Sequence, residues 1–170
     1  MNGTDVLADA FGRIRETVRE VVGGLSADEL NERLDGTTNS ITWLVWHLTR
    51  IQDDHIADAS GLEQVWTAKG WAARLDLPLP SHSTGYGHSG RQVAAVRVDS
   101  PDLLLGYHEA VHEQTLAFLG TLDDAALDRV VDESWDPPVT LGVRLVSVVG
   151  DDLQHIGQAA LLRGVLEHRS

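Results

Sequence analysis

Four stretches of this chain repeat apolar residues at helical spacing, and each is bounded by a capping residue or a helix breaker. In the first, Leu7, Ala10, Phe11, Ile14, Val18, Val21 and Val22 form a stripe over Val6 to Val22, with Thr4 or Asp5 placed to cap it and Gly23-Gly24 to stop it. The second runs from Ile41 to Ala59 behind Ser40 and carries Ile41, Leu44, Val45, Leu48 and Ile51. The third opens on Ser100-Pro101, a cap followed by a proline in the first turn, and extends to about Leu122. The fourth runs from about Thr140 to Leu166. Helices with one apolar face bury it against one another, and four of them make a bundle. The expectation is an all-α single domain spanning residues 1–170.

The connections are uneven. Ser26, Ala27, Asp28 and Glu29 have the spacing of a capping box and predict a short helical turn. Gly61 to Leu75 reads as short helical pieces carrying Trp66 and Trp71, and Asp76 to Asp99 as a long polar loop with an extended segment at Val93–Val98. The longest connection therefore lies between the second and third long helices. A loop of that length is commonly functional. Asp123 to Trp135 predicts a turn and a helical piece, with Val130–Val131 available for limited strand pairing.

Charge narrows the partners. The 170 residues include 26 acidic and 13 basic side chains, a formal net charge of −13. That field repels phosphate backbones and anionic membranes, so no nucleic-acid or membrane partner is expected. No apolar run approaches the roughly 18–20 residues of a membrane span, and the start of the chain lacks the pattern of a secretory signal, so a cytoplasmic location is expected. The chain has no cysteine, so a thiol used here must come from outside.

On the fourth helix, Asp151 and His155 stand one turn apart on one face, together with Leu141, Arg144, Val148, Ala159 and Leu162. A carboxylate turned into a bundle needs a partner, and a divalent cation bound with an imidazole supplies one. A third ligand must come from another helix. The second helix offers His47 and His55, and periodicity does not choose between them.

The segments ITWLVWHLTRIQDDH and DDLQHIGQAALLRG, followed in order across the long second connection and the LGTLDDAALDRVV stretch, resemble the signature regions of the DinB-like superfamily. The resemblance implies a four-helix bundle binding a divalent metal through one histidine of the second helix and an i, i+4 pair of the fourth. It places these ligands at His47, Asp151 and His155. Many members carry histidine where this chain has Asp151, and relatives that include the mycothiol-dependent isomerases use a carboxylate. The adjacent Asp152 is the alternative carboxylate. Two imidazoles and one carboxylate suit zinc or nickel, and also admit iron or manganese.

Two other patterns are weighed and set aside. His108-Glu109-Ala110-Val111-His112 matches the helix of zinc proteases, with Glu133 as a third ligand, but here it reads as two histidines on a partly exposed helix face. Gly85 to Gly90 matches a dinucleotide-binding glycine motif, but it lacks the strand before and the helix after. It reads as a loop that either covers the metal as a lid or stays a surface excursion or dimer contact.

Three protein ligands leave metal positions open, as in catalytic sites. The resemblance implies a metal-dependent transferase or isomerase using a low-molecular-weight thiol, namely mycothiol, bacillithiol or glutathione, and the arginine-rich basic usage favours mycothiol. The partners are then a small thiol and an electrophilic substrate. Arg144 is a candidate to orient an anionic substrate, and Tyr86, His82 and His88 are candidate proton donors should the loop fold over the metal. A metal-dependent hydrolase and a non-catalytic, metal-binding stress-response protein are the alternatives. Apolar residues beyond a narrow stripe on the first and third long helices, with the same resemblance, imply a homodimer.

Overall fold

A computed structural model describes residues 1–169. Its long helices are α1 (Gly3–Val22), α3 (Ile41–Ser60), α7 (Pro101–Leu119) and α8 (Leu141–Arg169). Between them lie α2 (Ala27–Asn31), α4 (Val65–Ala68), α5 (Trp71–Leu75) and α6 (Gly90–Ala95). A 3-10 turn at Asp124–Asp128 and a two-stranded antiparallel ribbon, β1 (Val130–Asp132) with β2 (Val139–Thr140), join α7 to α8. The chain is mostly helical, as the periodicity predicts, and none of the described helices is long and apolar enough to cross a membrane.

The four long helices form a ring in which α1 and α3 each pack against both α7 and α8. His47 meets His155 while Arg144 meets His55, so α3 and α8 run antiparallel. The interior is built by Phe11, Ile14 and Val18 of α1, Leu44, Leu48 and Ile56 of α3, Leu104 and Val111 of α7, and Leu141, Leu145, Val148 and Ile156 of α8. Arg163 of α8 closes the far end by donating to the carbonyls of Glu20, Val21 and Gly23, which the end of α1 leaves unpaired.

Several local expectations change. The cap of α1 is Asn2, not Thr4 or Asp5: its side chain accepts from the Asp5 amide, and the Asp5 carboxylate returns the bond to the Asn2 amide. The stretch expected to be extended at Val93–Val98 begins as helix α6, because Ser89 and Gln92 form a capping box. Val93, Val96 and Val98 are nonetheless buried, and Asn31 clamps Val98 through both its amide and its carbonyl. The apolar residues left most exposed on the long helices lie chiefly on the outer face of α8, at Val143, Val146, Leu153 and Leu161; Val6 of α1 and Leu116 of α7 are the others.

The larger surprise is α3. An amphipathic helix should leave one face wet, yet every residue from Ile41 to Arg50 is buried. The 61–99 connection lies over the outer face. Trp66 donates from its indole to the Ser81 carbonyl, Arg50 to the Ser83 carbonyl, and Trp43 to His88. Asp53, fully buried, accepts the Val65 and Trp66 amides at the start of α4 and the Tyr107 hydroxyl, each at 2.8 Å.

His108 and His112 are buried, not on a partly exposed face. His108 Nδ1 donates to the Thr49 hydroxyl, whose own proton goes to the Val45 carbonyl. Glu109 turns the other way, into Arg15 and Arg19. Burial lowers the His108 imidazole to about 3, so it is neutral in the fold and protonated in the unfolded chain below its ordinary 6.5. The unfolded state therefore binds the extra proton between those limits, and stability falls as pH drops from 6.5 towards 3. Replacing His108 by Leu is expected to flatten that acid limb in a series of thermal melts. An unchanged limb would show that His108 does not carry it.

Candidate metal centre

His47, Asp151 and His155 each bring one donor atom into a cluster whose atoms all lie within 4.8 Å of one another, and this is the one such group of three among the described residues. Residues α3 and α8 contribute come together because the helices are antiparallel: the middle of α3 meets the middle of α8. The imidazoles of His47 and His155 stand edge to face, 4.6 Å between centroids.

The tautomers follow from the hydrogen bonds. His47 Nδ1 faces the carbonyl oxygen of Thr84, and His155 Nδ1 faces the carbonyl oxygen of Asp151 at 2.8 Å. A carbonyl only accepts, so each Nδ1 carries the proton and each Nε2 keeps a lone pair. Orienting a histidine through its second nitrogen is how metal-binding imidazoles are held. The Asp151 carboxylate is 3.3 Å from the same His155 nitrogen, yet its Oδ2 is buried without an aligned hydrogen-bond donor. An unsatisfied carboxylate oxygen clustered with two imidazoles fits a divalent cation.

The electrostatics of His47 and Asp151 agree with that donor set. Burial lowers His47 below its ordinary value and favours the neutral ring a metal requires. Burial pushes Asp151 up, but the close approach of His155, helped by the charges of His47 and His55, more than reverses this and keeps it ionised. The Asp151 carboxylate in turn raises His155. The side chains of Asp151 and His155 are 36% and 19% exposed, so the cluster is open to solvent on one side.

The neighbouring carboxyl does not join. Asp152 is turned about 100° round the helix from Asp151 and is fully buried on the core face with Val148 and Ile156. Burial, with Asp151's charge beside it, pushes its carboxyl well above the ordinary range, so it is a neutral acid. The face shared by Asp151 and His155 is thus a flank directed at α3, and Leu141, Val148 and Ala159 belong to the adjoining core face. His55 stays outside the cluster, 3.5 Å from Arg144.

Of the other candidates, Arg144 is engaged with Asp58 at 3.0 Å and Asp132 at 3.7 Å. Tyr86 is 90% exposed and His82 is exposed, both on the outside of their loop. His88 turns inward: it accepts from the Trp43 indole through Nδ1, so its Nε2 proton goes to the Ser83 hydroxyl, and its ring stacks on Trp46. The loop does reach the cluster, but through its backbone.

That contact is absent from a reading of side chains. Trp43 stacks on His47 at 4.6 Å, and the Thr84–Gly85 backbone closes over the ring. Gly85 has φ +95°, and a Cβ there would lie 2.5 Å from His47 Nδ1 and 3.1 Å from Trp43. Only glycine supplies both the left-handed backbone and the missing atom.

The family model of the DinB superfamily matches residues 10–159. A crystal structure of a conserved protein from Enterococcus faecalis is similar over 96% of each chain, with a TM-score of 0.89 and 31% sequence identity. No curated protein matches the chain.

Two sets of variants test the geometry by bound-metal analysis. His47→Ala and His155→Ala are expected to lose stoichiometric binding, while Asp152→Asn keeps it; a loss in Asp152→Asn alone would move the carboxylate ligand. Gly85→Ala is expected to weaken binding by about 10–100-fold, the usual weight of a contact that orients a ligand histidine. An unchanged affinity would show that the loop does not position His47.

Proposed function

The chain belongs to the DinB superfamily, and on that footing we propose that it is a metal-dependent transferase or isomerase that activates a low-molecular-weight thiol, mycothiol foremost, at His47, Asp151 and His155. The observation that carries this reading is the open, three-donor cluster in a chain without cysteine. Bound there, a divalent cation supplies Lewis acidity that lowers the pKa of a coordinated thiol and so provides the nucleophile the sequence lacks. Zinc or nickel best suits the donors.

The protein's own residues set the conditions. Trp43 and the Thr84 carbonyl hold His47 in one tautomer, and the Asp151 carbonyl does the same for His155. Asp151 keeps one negative charge at the solvent side. In the transfer, the thiol proton leaves to solvent on that side and the sulfur electron pair forms a C–S bond. The electrophile's displaced pair moves to its leaving group or into its conjugated system. In an isomerisation the same C–S bond later breaks and returns the thiol. The Arg144 guanidinium is occupied by Asp58 and Asp132, and its part is to brace the start of α8.

The test is a spectroscopic titration of the cobalt-substituted protein with mycothiol, bacillithiol and glutathione, beside an assay with a generic electrophile. A thiolate-to-metal band with at least one thiol, and turnover that disappears in His155→Ala, is expected. No spectral change at millimolar thiol together with no turnover sinks the transferase reading and leaves hydrolysis or a non-catalytic role.

A further inference from the structure

Four large apolar side chains of α8, Val143, Val146, Leu153 and Leu161, stand half or more exposed on its outer face. On α1 and α7 the exposed ones among the described residues are Val6 and Leu116 alone. None of the exposed residues of α8 between Leu141 and Leu162 is charged, in a chain of net charge −13. Arg144, Asp151 and His155 turn to the α3 flank, and Asp152 to the core. Together the four apolar side chains present on the order of 400 Å², the size at which an exposed patch marks an interaction site.

This face repeats every seven residues. Val146, Leu153 and Ala160 form one row, and Val143, Gly150, Gly157 and Gly164 the other. The steps between the rows alternate between three and four residues, which is the seam of a helix pair. A Cβ on Gly150, Gly157 or Gly164 would meet nothing within 4 Å, so packing inside the chain does not call for glycine there. Glycine is a poor helix former, so these three weaken α8 without serving its own core. They leave hollows between the large residues, and small side chains at a contact let two helices approach closely.

The pattern is complementary to itself. Two copies of α8 laid antiparallel, with a two-fold axis level with His155, put Leu153 opposite Gly157 of the partner subunit. Val146 then faces the partner's Gly164, and Gly150 the partner's Ala160, so each large residue meets a hollow. The charges at the two ends agree. The loop before α8 exposes Glu133 and Asp136, and the last turn carries His168 and Arg169, the latter half exposed beside Glu32. The antiparallel arrangement brings acidic loop to basic turn, whereas a parallel one sets like charges together and large residue against large. We propose that the outer face of α8 is a homodimer interface, in which two copies of the chain pack this helix antiparallel across a two-fold axis. The two faces cover about 800 Å² of these side chains, short of the roughly 1,200–2,000 Å² of a stable pair, and the charged ends supply the rest. The dimer is accordingly weak, with a dissociation constant on the order of micromolar. It requires neither metal nor turnover.

Sedimentation velocity of the full chain between about 1 and 100 μM is expected to show a monomer passing into a dimer. Leu153→Glu, which sets two carboxylates beside the axis, is expected to stay monomeric throughout, with its circular dichroism unchanged. Gly157→Leu separates this interface from a merely sticky surface. It adds apolar area and favours the helix, yet fills the hollow that receives the partner's Leu153. It is expected to weaken association by about tenfold or more, as overpacking does, while raising the melting temperature of the monomer. Because the chain has no cysteine, cross-linking reads the register. Gly150→Cys mixed with Ala160→Cys is expected to form, under air oxidation, disulfide-linked dimers that neither variant forms alone. A monomer at the highest concentration, a dimer indifferent to Leu153→Glu, tighter association in Gly157→Leu, or self-linking of Gly150→Cys overturns the proposal.

Discussion

The buried pair of Arg50 and Asp53 is the constraint on which the arrangement of this protein turns. Both side chains are fully buried on α3, 3.7 Å apart, and neither is satisfied by the other alone. Burial of two charges is costly unless further hydrogen bonds complete them. Here the connection between α3 and α7, with Tyr107 of α7, supplies those bonds to all but Arg50 Nη2. The amides at the start of α4 and the Tyr107 hydroxyl go to Asp53; the Gln64 side chain and the Ser83 carbonyl go to Arg50, whose guanidinium also lies over Trp66. A loop that is long and polar in sequence is thereby fixed to one place. Ser83 precedes Thr84, the residue whose carbonyl sets the His47 tautomer, so the ion pair and the candidate metal cluster are linked through two consecutive peptide units.

This explains which parts of the molecule were legible in the sequence. The four long helices and Ser26, Ser40 and Ser100 as caps follow from spacing and local chemistry, which do not depend on distant residues. The covering layer on α3 does not follow. A hydrophobic stripe reports one buried face, and Arg50 and Asp53 read as the wet face of a helix until the connection is laid over them. The same limit applies to His108 and His112. Their polarity suggested exposure, whereas the structure places them inside with the Thr49 hydroxyl as a local acceptor. Signals for the layer did exist: Trp66 needs an apolar environment as Trp43 and Trp46 do, and Trp46 and Trp66, distant in sequence, meet at 6.4 Å.

The candidate site was legible in a different way. Asp151 and His155 share a flank by spacing, but the choice of His47 over His55 came from resemblance. The geometry gives it a physical basis: His47 lies opposite His155, whereas His55 is two turns along α3 and faces Arg144. The role of Gly85 was hidden because its importance is an atom it lacks. In sequence it belonged to a glycine pattern associated with nucleotides; in the structure its left-handed backbone lets a carbonyl approach an imidazole.

Asp151 and Asp152 show how the helix divides adjacent carboxyls into separate roles. One step along the chain turns a side chain by about 100°, enough here to take it from a half-open flank into the core. Burial in the core, and then the like charge of Asp151 beside it, disfavour ionisation of Asp152, which is held neutral in consequence. That neutrality bears on the proposed chemistry through simple charge counting. A divalent cation with Asp151 alone carries a net positive charge, and a thiolate entering the site brings it to balance. With Asp152 also ionised at the site, the balance would be reached before the thiol arrived, and the attraction that favours its ionised form would be lost. In the proposed chemistry, keeping the second carboxyl protonated in the core would preserve the electrostatic pull on a borrowed thiol, while the first would supply the anionic ligand.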